Sequence, residues 1–185
     1  PSAAHWLGTD NVGRDLLSRF LYGGRVSLLL GLVSTLLAAA IGVSLGLLAG
    51  FKGGLIDAAI MRVVDAILCF PFLVFLLAMA AALGGGLINL GVALVLFGWV
   101  FFARIVRGQV LLVRELPYVE AARAAGASSA RLMWRHILPN TLAPVIVAIT
   151  LGIGNAILAE SAISFLGLGV QPPTASWGKE LKSGF

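Results

Sequence analysis

The chain has 185 residues, of which 59% are hydrophobic and only 11% are charged, and its formal net charge is +5. Charged residues occupy about a quarter of the positions in ordinary soluble domains, so this composition excludes a soluble globular domain. The basic residues lie at the edges of apolar runs and do not alternate with aromatic residues, which argues against nucleic-acid binding. The composition is typical of a membrane protein whose first partner is the lipid bilayer.

The apolar runs predict four membrane crossings. A helix needs about twenty apolar residues to cross the hydrocarbon, and Val26–Phe51 contains no charged residue. The charge-free run Ala66–Ala103 is too long for one crossing, and Gly84–Gly86 with Asn89 marks a turn in its middle. The predicted crossings are therefore residues 26–51, roughly 57–83, roughly 87–113 and 139–168, within a single membrane domain.

The second predicted crossing contains a proline and three charged residues. Pro71 removes a backbone hydrogen bond, so it predicts a kink, which suits a gate and equally suits plain packing. Asp57, Arg62 and Asp65 lie near the end at which this crossing begins. Arg62 and Asp65 are three residues apart, which favours a local ion pair, with a gate contact as the alternative. Pro71 and Asp65 are therefore candidate residues of a gate or translocation path.

The segment of about 114–139 is too polar for the hydrocarbon and follows the third crossing. Pro117 suits a first helical turn, and Glu120 and the alanine-rich run 121–125 follow it, which predicts a short helix. Gly126 then favours a left-handed end to this helix.

A second short helix is predicted immediately after this bend. Ser128 and Ser129 can cap it, and Arg131 and Arg135 are spaced to share one of its faces. The two short helices, joined by the bend at Gly126, form a candidate docking element outside the hydrocarbon.

Glu160 is an ionisable residue in the fourth apolar run, where a charge is costly and therefore marks a candidate functional position. The distance in sequence from Pro139 places Glu160 near the far end of its helix, where it is expected to reach interfacial water. We interpret Glu160 as a structural or gate-lining carboxylate, with a proton relay as the alternative.

The docking segment resembles a known signature. Glu120-Ala121-Ala122, followed by Gly126 and Ile137-Leu138-Pro139, is similar to the EAA loop of permease subunits of ATP-binding-cassette (ABC) importers. Motifs over nearly the whole chain resemble the dipeptide, oligopeptide and nickel branch of that family. These motifs are His5–Asp10, Gly13–Asp15, Ser18-Arg19, Gly24–Ser27, Ala159–Thr174 and Ser176–Gly178.

The resemblance implies an all-α, polytopic membrane helix bundle with the type I ABC importer permease fold, in a bacterial or archaeal plasma (inner) membrane. It places the EAA loop in the cytoplasm and residues 1–25 and 169–185 outside. Short cytoplasmic loops are enriched in Lys and Arg, and the predicted inner side holds the larger share of them. The chain starts with Pro1, and family members have another helix on each side of it, so it is expected to be truncated at both ends.

The resemblance also implies a coupling site and partners. In the family, the EAA loop inserts into a groove on a cytoplasmic ATPase. The candidate ATPase-coupling residues are Glu120, Ala121, Ala122, Gly126, Arg131, Leu138 and Pro139. The expected partners are a homologous second permease subunit, two cytoplasmic ABC ATPases and an extracytoplasmic solute-binding protein.

The sequence contains no Gly-x-x-x-x-Gly-Lys-Ser/Thr motif, and His5 and His136 have no ligand partners at metal-binding spacing. We therefore expect a transport subunit that is not an enzyme and binds no cofactor or metal, with ATP used by the partner ATPases. The expected substrate is a di- or oligopeptide, with nickel or a nickel chelate as the alternative. A secondary transporter or channel subunit is a further alternative, but its expected paired mid-membrane charges are missing from the charge-free runs.

Overall fold

A computed structural model describes Ser2, residues 5–10 and residues 12–183. In this part of the chain the structure is helical without a β-strand, and Thr9 and Asp15 form an isolated antiparallel bridge. The all-α prediction is confirmed for these residues. The helices are α1 (Leu16–Lys52), α2 (Gly54–Leu68), α3 (Phe72–Leu83), α4 (Leu87–Val113), α5 (Pro117–Ala124), α6 (Ser129–Arg131), a π-helical segment (Leu132–Ile137), α7 (Leu138–Phe165) and α8 (Trp177–Ser183).

Three stretches of helix in the described residues are long and apolar enough to cross a membrane: α1, α4 and the continuous stretch Ser129–Phe165. Helices α2 and α3 would supply a fourth crossing only as one interrupted span. Helix α1 begins at Leu16, well before the predicted crossing at Val26, so part of the predicted external segment is helical.

The predicted single helix over 57–83 is wrong, because the structure ends α2 at Leu68 and begins α3 at Phe72. Pro71 has no backbone N–H and disfavours a helical conformation at the preceding residue, so the helix stops instead of bending. The predicted turn that follows α3 is confirmed. Gly84 and Gly86 have positive φ angles of 81° and 142°, and the Asn89 amide donates to the Leu83 carbonyl over 2.7 Å.

The chain forms two compact units. The central unit comprises residues 36–71 and 96–151. Its buried core contains Ala38, Leu47, Val64, Trp99, Val100, Val106, Val110, Val119, Leu132, Ile137 and Val145, among others. These side chains come from α1, α2, α4, α5, the π-helical segment and α7, so the short helix α5 shares its core with much longer helices.

Gly42, Gly46 and Gly50 form a smooth ridge on α1 within the central unit. A Cβ atom at Gly46 would lie 2.5 Å from the Ala103 carbonyl oxygen, and one at Gly50 would lie 2.8 Å from Val110 Cβ. Small residues allow helix backbones in membranes to approach closely, and here the ridge packs against α4 of the same chain. The ridge is therefore a packing surface within the chain.

The terminal unit comprises residues 1–35, 72–95 and 152–185. Its buried core consists of Leu76, Leu90, Ala93, Leu94, Ala156, Ala159 and Ile163. These residues are contributed by α3, α4 and α7. Ser27 on α1 and Glu160 on α7 are also completely buried in this unit, and both carry polar side chains.

Candidate functional site

Helix α5 is attached to the central unit mainly through one side chain. Pro117 occupies its first turn after an extended Leu116, as predicted. Val119 is fully buried in the core, whereas Glu120, Arg123 and most of the alanines are exposed. A helix that is anchored mainly by one side chain and is largely exposed elsewhere presents a surface to its surroundings.

The charges on α5 suit its ends. Glu120 lies in the first turn and Arg123 in the last turn, so each charge opposes the partial charge of the helix dipole nearest to it. Within the described part of the chain, the side chain of Glu120 has neither a hydrogen bond nor an ion pair. Its carboxylate therefore remains open to a partner outside the chain.

The predicted bend after α5 is confirmed. Gly126 has a φ of 83°, a left-handed conformation that glycine adopts without the cost that a Cβ atom imposes. The Gly126 N–H donates to the Arg123 carbonyl, and the Ala127 N–H donates to the Ala122 carbonyl, each over 3.0 Å. These hydrogen bonds satisfy carbonyls at the end of α5 and fix the direction of the chain beyond it.

The predicted cap of the next helix is also confirmed, but that helix is not a separate short element. Ser128 is extended, and its hydroxyl accepts a hydrogen bond from the Arg131 N–H over 3.3 Å. Helix α6 then continues through the π-helical segment Leu132–Ile137 into α7. The π-helical segment is anchored by its two buried ends, Leu132 and Ile137, so the second docking helix is the beginning of a spanning helix.

The π-helical segment contacts α5 through a carbonyl group. The Tyr118 hydroxyl donates to the His136 carbonyl over 3.3 Å, and the Asn140 amide donates to the same carbonyl over 2.7 Å. The remaining predicted coupling residues lie along the same stretch. Arg131 and Pro139 are exposed, and Leu138 packs partly buried against the core that holds Val119.

The predicted ion pair between Arg62 and Asp65 is wrong. Asp65 instead accepts a hydrogen bond from Arg104 over 2.6 Å, and Asp57 accepts two from Arg107, one of them over 2.6 Å. Both pairs connect α2 to α4 in the central unit, and Arg104 and Arg107 approach α2 in reverse order along the chain. The residues belong to two antiparallel helices, and the signal in the sequence was the presence of two aspartates on α2 and two arginines on α4.

Glu160 does not reach interfacial water as predicted, because its side chain is completely buried in the terminal unit. Its two carboxylate oxygens accept hydrogen bonds from the Ser27 and Ser164 hydroxyls, each over 2.7 Å. The Trp177 N–H donates to Ser27 Oγ over 3.3 Å, and the Val170 N–H donates to Ser164 Oγ over 3.1 Å. Protein groups therefore take the place of water around this carboxylate.

A second set of contacts lies in the terminal unit between α1 and α8. Arg19 forms a salt bridge of 2.6 Å with Glu180, and both side chains are 12% exposed. The ring of Trp177 stacks on Phe20 with a centroid distance of 5.7 Å and donates through Nε1 to the Phe20 carbonyl. Burial lowers the pKa of the neighbouring Lys179.

The segment before α1 is ordered by two aspartates. The Ser18 hydroxyl and N–H donate to Asp15, which caps α1, and these hydrogen bonds lower the pKa of the Asp15 carboxyl. Burial opposes ionisation of Asp10, but hydrogen bonds from Arg14 and from the Val12 N–H outweigh it and lower the Asp10 pKa. This arrangement gives the motif that begins at His5 a structural role.

The family can now be assigned. Residues 42–185 match the family model of the binding-protein-dependent transport system inner membrane component. The chain belongs to this family. It is thus a multi-pass permease component of the inner (plasma) membrane, and the matched residues include the whole of α5 and its bend.

The relatives of this permease chain are similar over almost its entire length. It is 44% identical to the glutathione transport system permease protein GsiD of Pectobacterium atrosepticum, covering 98% of this chain and 60% of the relative. It is 47% identical to the dipeptide transport system permease protein DppC of Bacillus subtilis, covering 96% of this chain and 56% of the relative. The chain therefore spans less than two thirds of the length of these relatives.

Solved structures show the same fold. A chain from inward-facing structures of the MetNI methionine ABC transporter matches with a TM-score of 0.71 and 24% identity, covering 84% of this permease chain and 77% of that chain. A chain from an amino acid ABC transporter with histidines matches with a TM-score of 0.62 and 22% identity, covering 89% and 76%. The permease chain has the type I ABC importer permease fold.

Proposed function

We propose that this chain is the membrane-embedded part of one of two homologous permease subunits in an ATP-driven importer of di- or oligopeptides. The exposed helix α5 carries the proposal, because it ends in a left-handed glycine and holds to its own chain mainly through Val119. Its sequence also resembles the EAA signature. The relatives named for glutathione and dipeptide transport favour a peptide over the nickel alternative.

In this proposal the chain uses no nucleotide of its own. Two cytoplasmic ABC ATPases supply the energy, and α5 with the stretch from Arg131 to Pro139 transmits it to the membrane helices. A solute-binding protein delivers the peptide from the outer side, where residues 1–25 and 169–185 lie.

The candidate gate residues, Asp65, Pro71 and Glu160, lie outside the coupling segment. Asp65, which pairs with Arg104, lies in the last turn of α2, and Pro71 immediately precedes α3, so we assign the stretch from Asp65 to Pro71 to a gate. Glu160 is assigned a structural role, because two serine hydroxyls satisfy its carboxylate.

Reversal of one charge on α5 tests the coupling role. In the full-length protein within the assembled importer, we expect Glu120→Lys to reduce uptake of a labelled dipeptide by at least about tenfold, since an unfavourable charge at an interface costs several kcal/mol. ATP hydrolysis by the complex is expected to persist without stimulation by the binding protein. Both rates are measured in proteoliposomes.

Glu115→Lys is the matched control. Glu115 lies outside α5, is 67% exposed and, among the described residues, forms an ion pair only with its neighbour Arg114. We expect this variant to transport at nearly the normal rate, because exposed ion pairs contribute little. Normal uptake by Glu120→Lys in a fully assembled complex would contradict the coupling role of α5.

A further inference from the structure

A shallow groove with a volume of about 470 Å³ lies in the terminal unit, beside the first half of α1. Its walls are almost entirely apolar, and a single charged side chain lies among them. The lining residues are Phe20, Leu21, Gly24, Arg25, Leu28, Leu29 and Trp177.

Arg25 is exposed, and its guanidinium has no hydrogen bond or ion pair with any residue that the structure describes. The arginine nearest to it on the same helix behaves differently. Arg19 is 12% exposed and is held by Glu180 over 2.6 Å. A guanidinium in an apolar environment needs an anionic partner, and its planar fork of donors matches phosphate oxygens. Arg25 therefore has an open site for an anion.

The groove continues into an apolar face of α1. Leu28 and Leu32 are 49% and 41% exposed, and Leu29 and Val33 are both 51% exposed. Residues four apart lie on one helix face, so these side chains form two parallel apolar rows that lead away from Arg25. A hydrocarbon chain would find apolar contacts along this face, whereas a polar solute would not.

Trp177 also lines the groove, and its ring lies against Gly24, the residue next to Arg25. Its ring is fixed by stacking on Phe20 and by the hydrogen bond from Nε1 to the Phe20 carbonyl. Tryptophan is enriched at the level of lipid headgroups, and arginines at the ends of spanning helices reach the same level. An anionic group bound to Arg25 would therefore lie at headgroup depth.

We propose that this groove binds an anionic phospholipid. The phosphate pairs with Arg25, and one acyl chain lies along Leu28, Leu29, Leu32 and Val33. The proposal rests on the charge of Arg25 beside a continuous apolar face. It does not depend on the orientation of the chain in the membrane or on the identity of the transported substrate.

Photo-crosslinking tests the proposal in the full-length importer. The complex is reconstituted in phosphatidylcholine nanodiscs with a small fraction of a probe lipid that carries a diazirine in its acyl chain. The probe has either a phosphatidylglycerol or a phosphatidylcholine headgroup, and labelled peptides are identified by mass spectrometry. We expect the anionic probe to label residues 20–33 about fivefold more strongly, the preference that one basic contact at a membrane surface provides.

Arg25→Gln should abolish this preference, and Arg25→Lys should retain part of it. Arg62→Gln is the matched control. Arg62 is also exposed and unpaired within the described residues, but it does not line this groove, so its loss should leave the preference unchanged.

Equal labelling by the two probes would overturn the proposal, as would an equal loss in Arg25→Gln and Arg62→Gln. An absence of labelling by either probe in the assembled importer would show that another part of the importer covers the groove, which also overturns the proposal. Because Arg25 makes no contact that the fold requires, its variants should assemble normally.

Discussion

Glu160 in the terminal unit and Glu120 on α5 are both carboxylates in a highly apolar chain, but their surroundings are opposite. Glu160 is completely buried and accepts hydrogen bonds from Ser27 and Ser164. Glu120 is exposed and has no partner within the described residues. The comparison shows that the environment of a carboxylate, and not its presence in an apolar sequence, decides whether its hydrogen-bond partners come from its own chain.

The largest expected effect is that of removing the buried carboxylate. Glu160→Ala leaves the Ser27 and Ser164 hydroxyls without acceptors and opens a cavity, so we expect a loss of about 3 kcal/mol in the free energy of unfolding. The loss should appear as a lower thermal unfolding temperature and a lower yield of assembled complex.

Glu160→Gln retains the shape and one acceptor oxygen, so we expect a loss of only about 1 kcal/mol. If Glu160→Ala were as stable as the unaltered protein, the structural role assigned to Glu160 would be wrong. A dependence of uptake on external pH that disappears in Glu160→Gln would instead support the proton relay.

The second largest expected effect is that of Ser27→Ala, which distinguishes a serine that bonds to Glu160 from a buried serine that does not. Ser27→Ala removes a donor from Glu160 and an acceptor from the Trp177 N–H, so we expect a loss of about 2 kcal/mol. Ser34 is also buried on α1, but its hydroxyl donates only to carbonyls of the preceding turn, Leu30 over 2.6 Å and Gly31 over 3.4 Å.

Ser34→Ala is therefore the matched control and should cost less than about 0.5 kcal/mol, because helix carbonyls keep their backbone partners. Thermal unfolding of the two variants gives the comparison. Equal losses for both would mean that the Glu160 network adds nothing beyond the packing of α1.

The smallest expected effect on stability comes from a substitution at Gly126, in the exposed bend after α5. Gly126→Val forces a β-branched residue into a left-handed conformation at a cost of about 1–2 kcal/mol. Apart from Gly126 and its two chain neighbours, no atom of the described residues lies within 4 Å of the position that the Cβ would occupy, so the expected effect is backbone strain at the end of α5. We expect membrane assembly to persist and peptide uptake per ATP hydrolysed to fall about fivefold or more.

Gly126→Asn is the control, because asparagine tolerates the left-handed conformation. It should couple uptake to hydrolysis nearly as well as glycine. A similar loss of coupling in both variants would mean that a side chain at this position, and not the backbone strain, disturbs docking.

The features predicted correctly from the sequence are those that neighbouring residues determine. Pro117 at the start of α5, the left-handed Gly126, the Ser128 cap and the turn at Gly84 depend on a few consecutive residues. The stop before Phe72 was predicted only as a kink, because sequence alone does not show whether the residues after Pro71 continue in the same direction.

The missed features depend on residues far apart in sequence. Ser27 and Glu160 are separated by 133 positions, so nothing near Glu160 predicts the hydroxyl that replaces interfacial water. Asp65 likewise has Arg62 within one turn but pairs with Arg104, because the packing of α2 against α4 brings the more distant arginine within 2.6 Å.

One hydrogen bond of the Glu160 network depends on the register between α1 and α7. Ser164 belongs to the same helix as Glu160, so that hydrogen bond survives any sliding of α7 as a rigid rod, whereas the bond to Ser27 depends on the position of α1. A slide by one helical turn, about 5.4 Å, would separate Ser27 from the carboxylate. The hydrogen bond from Ser27 to Glu160 therefore forms only when α1 and α7 keep this register.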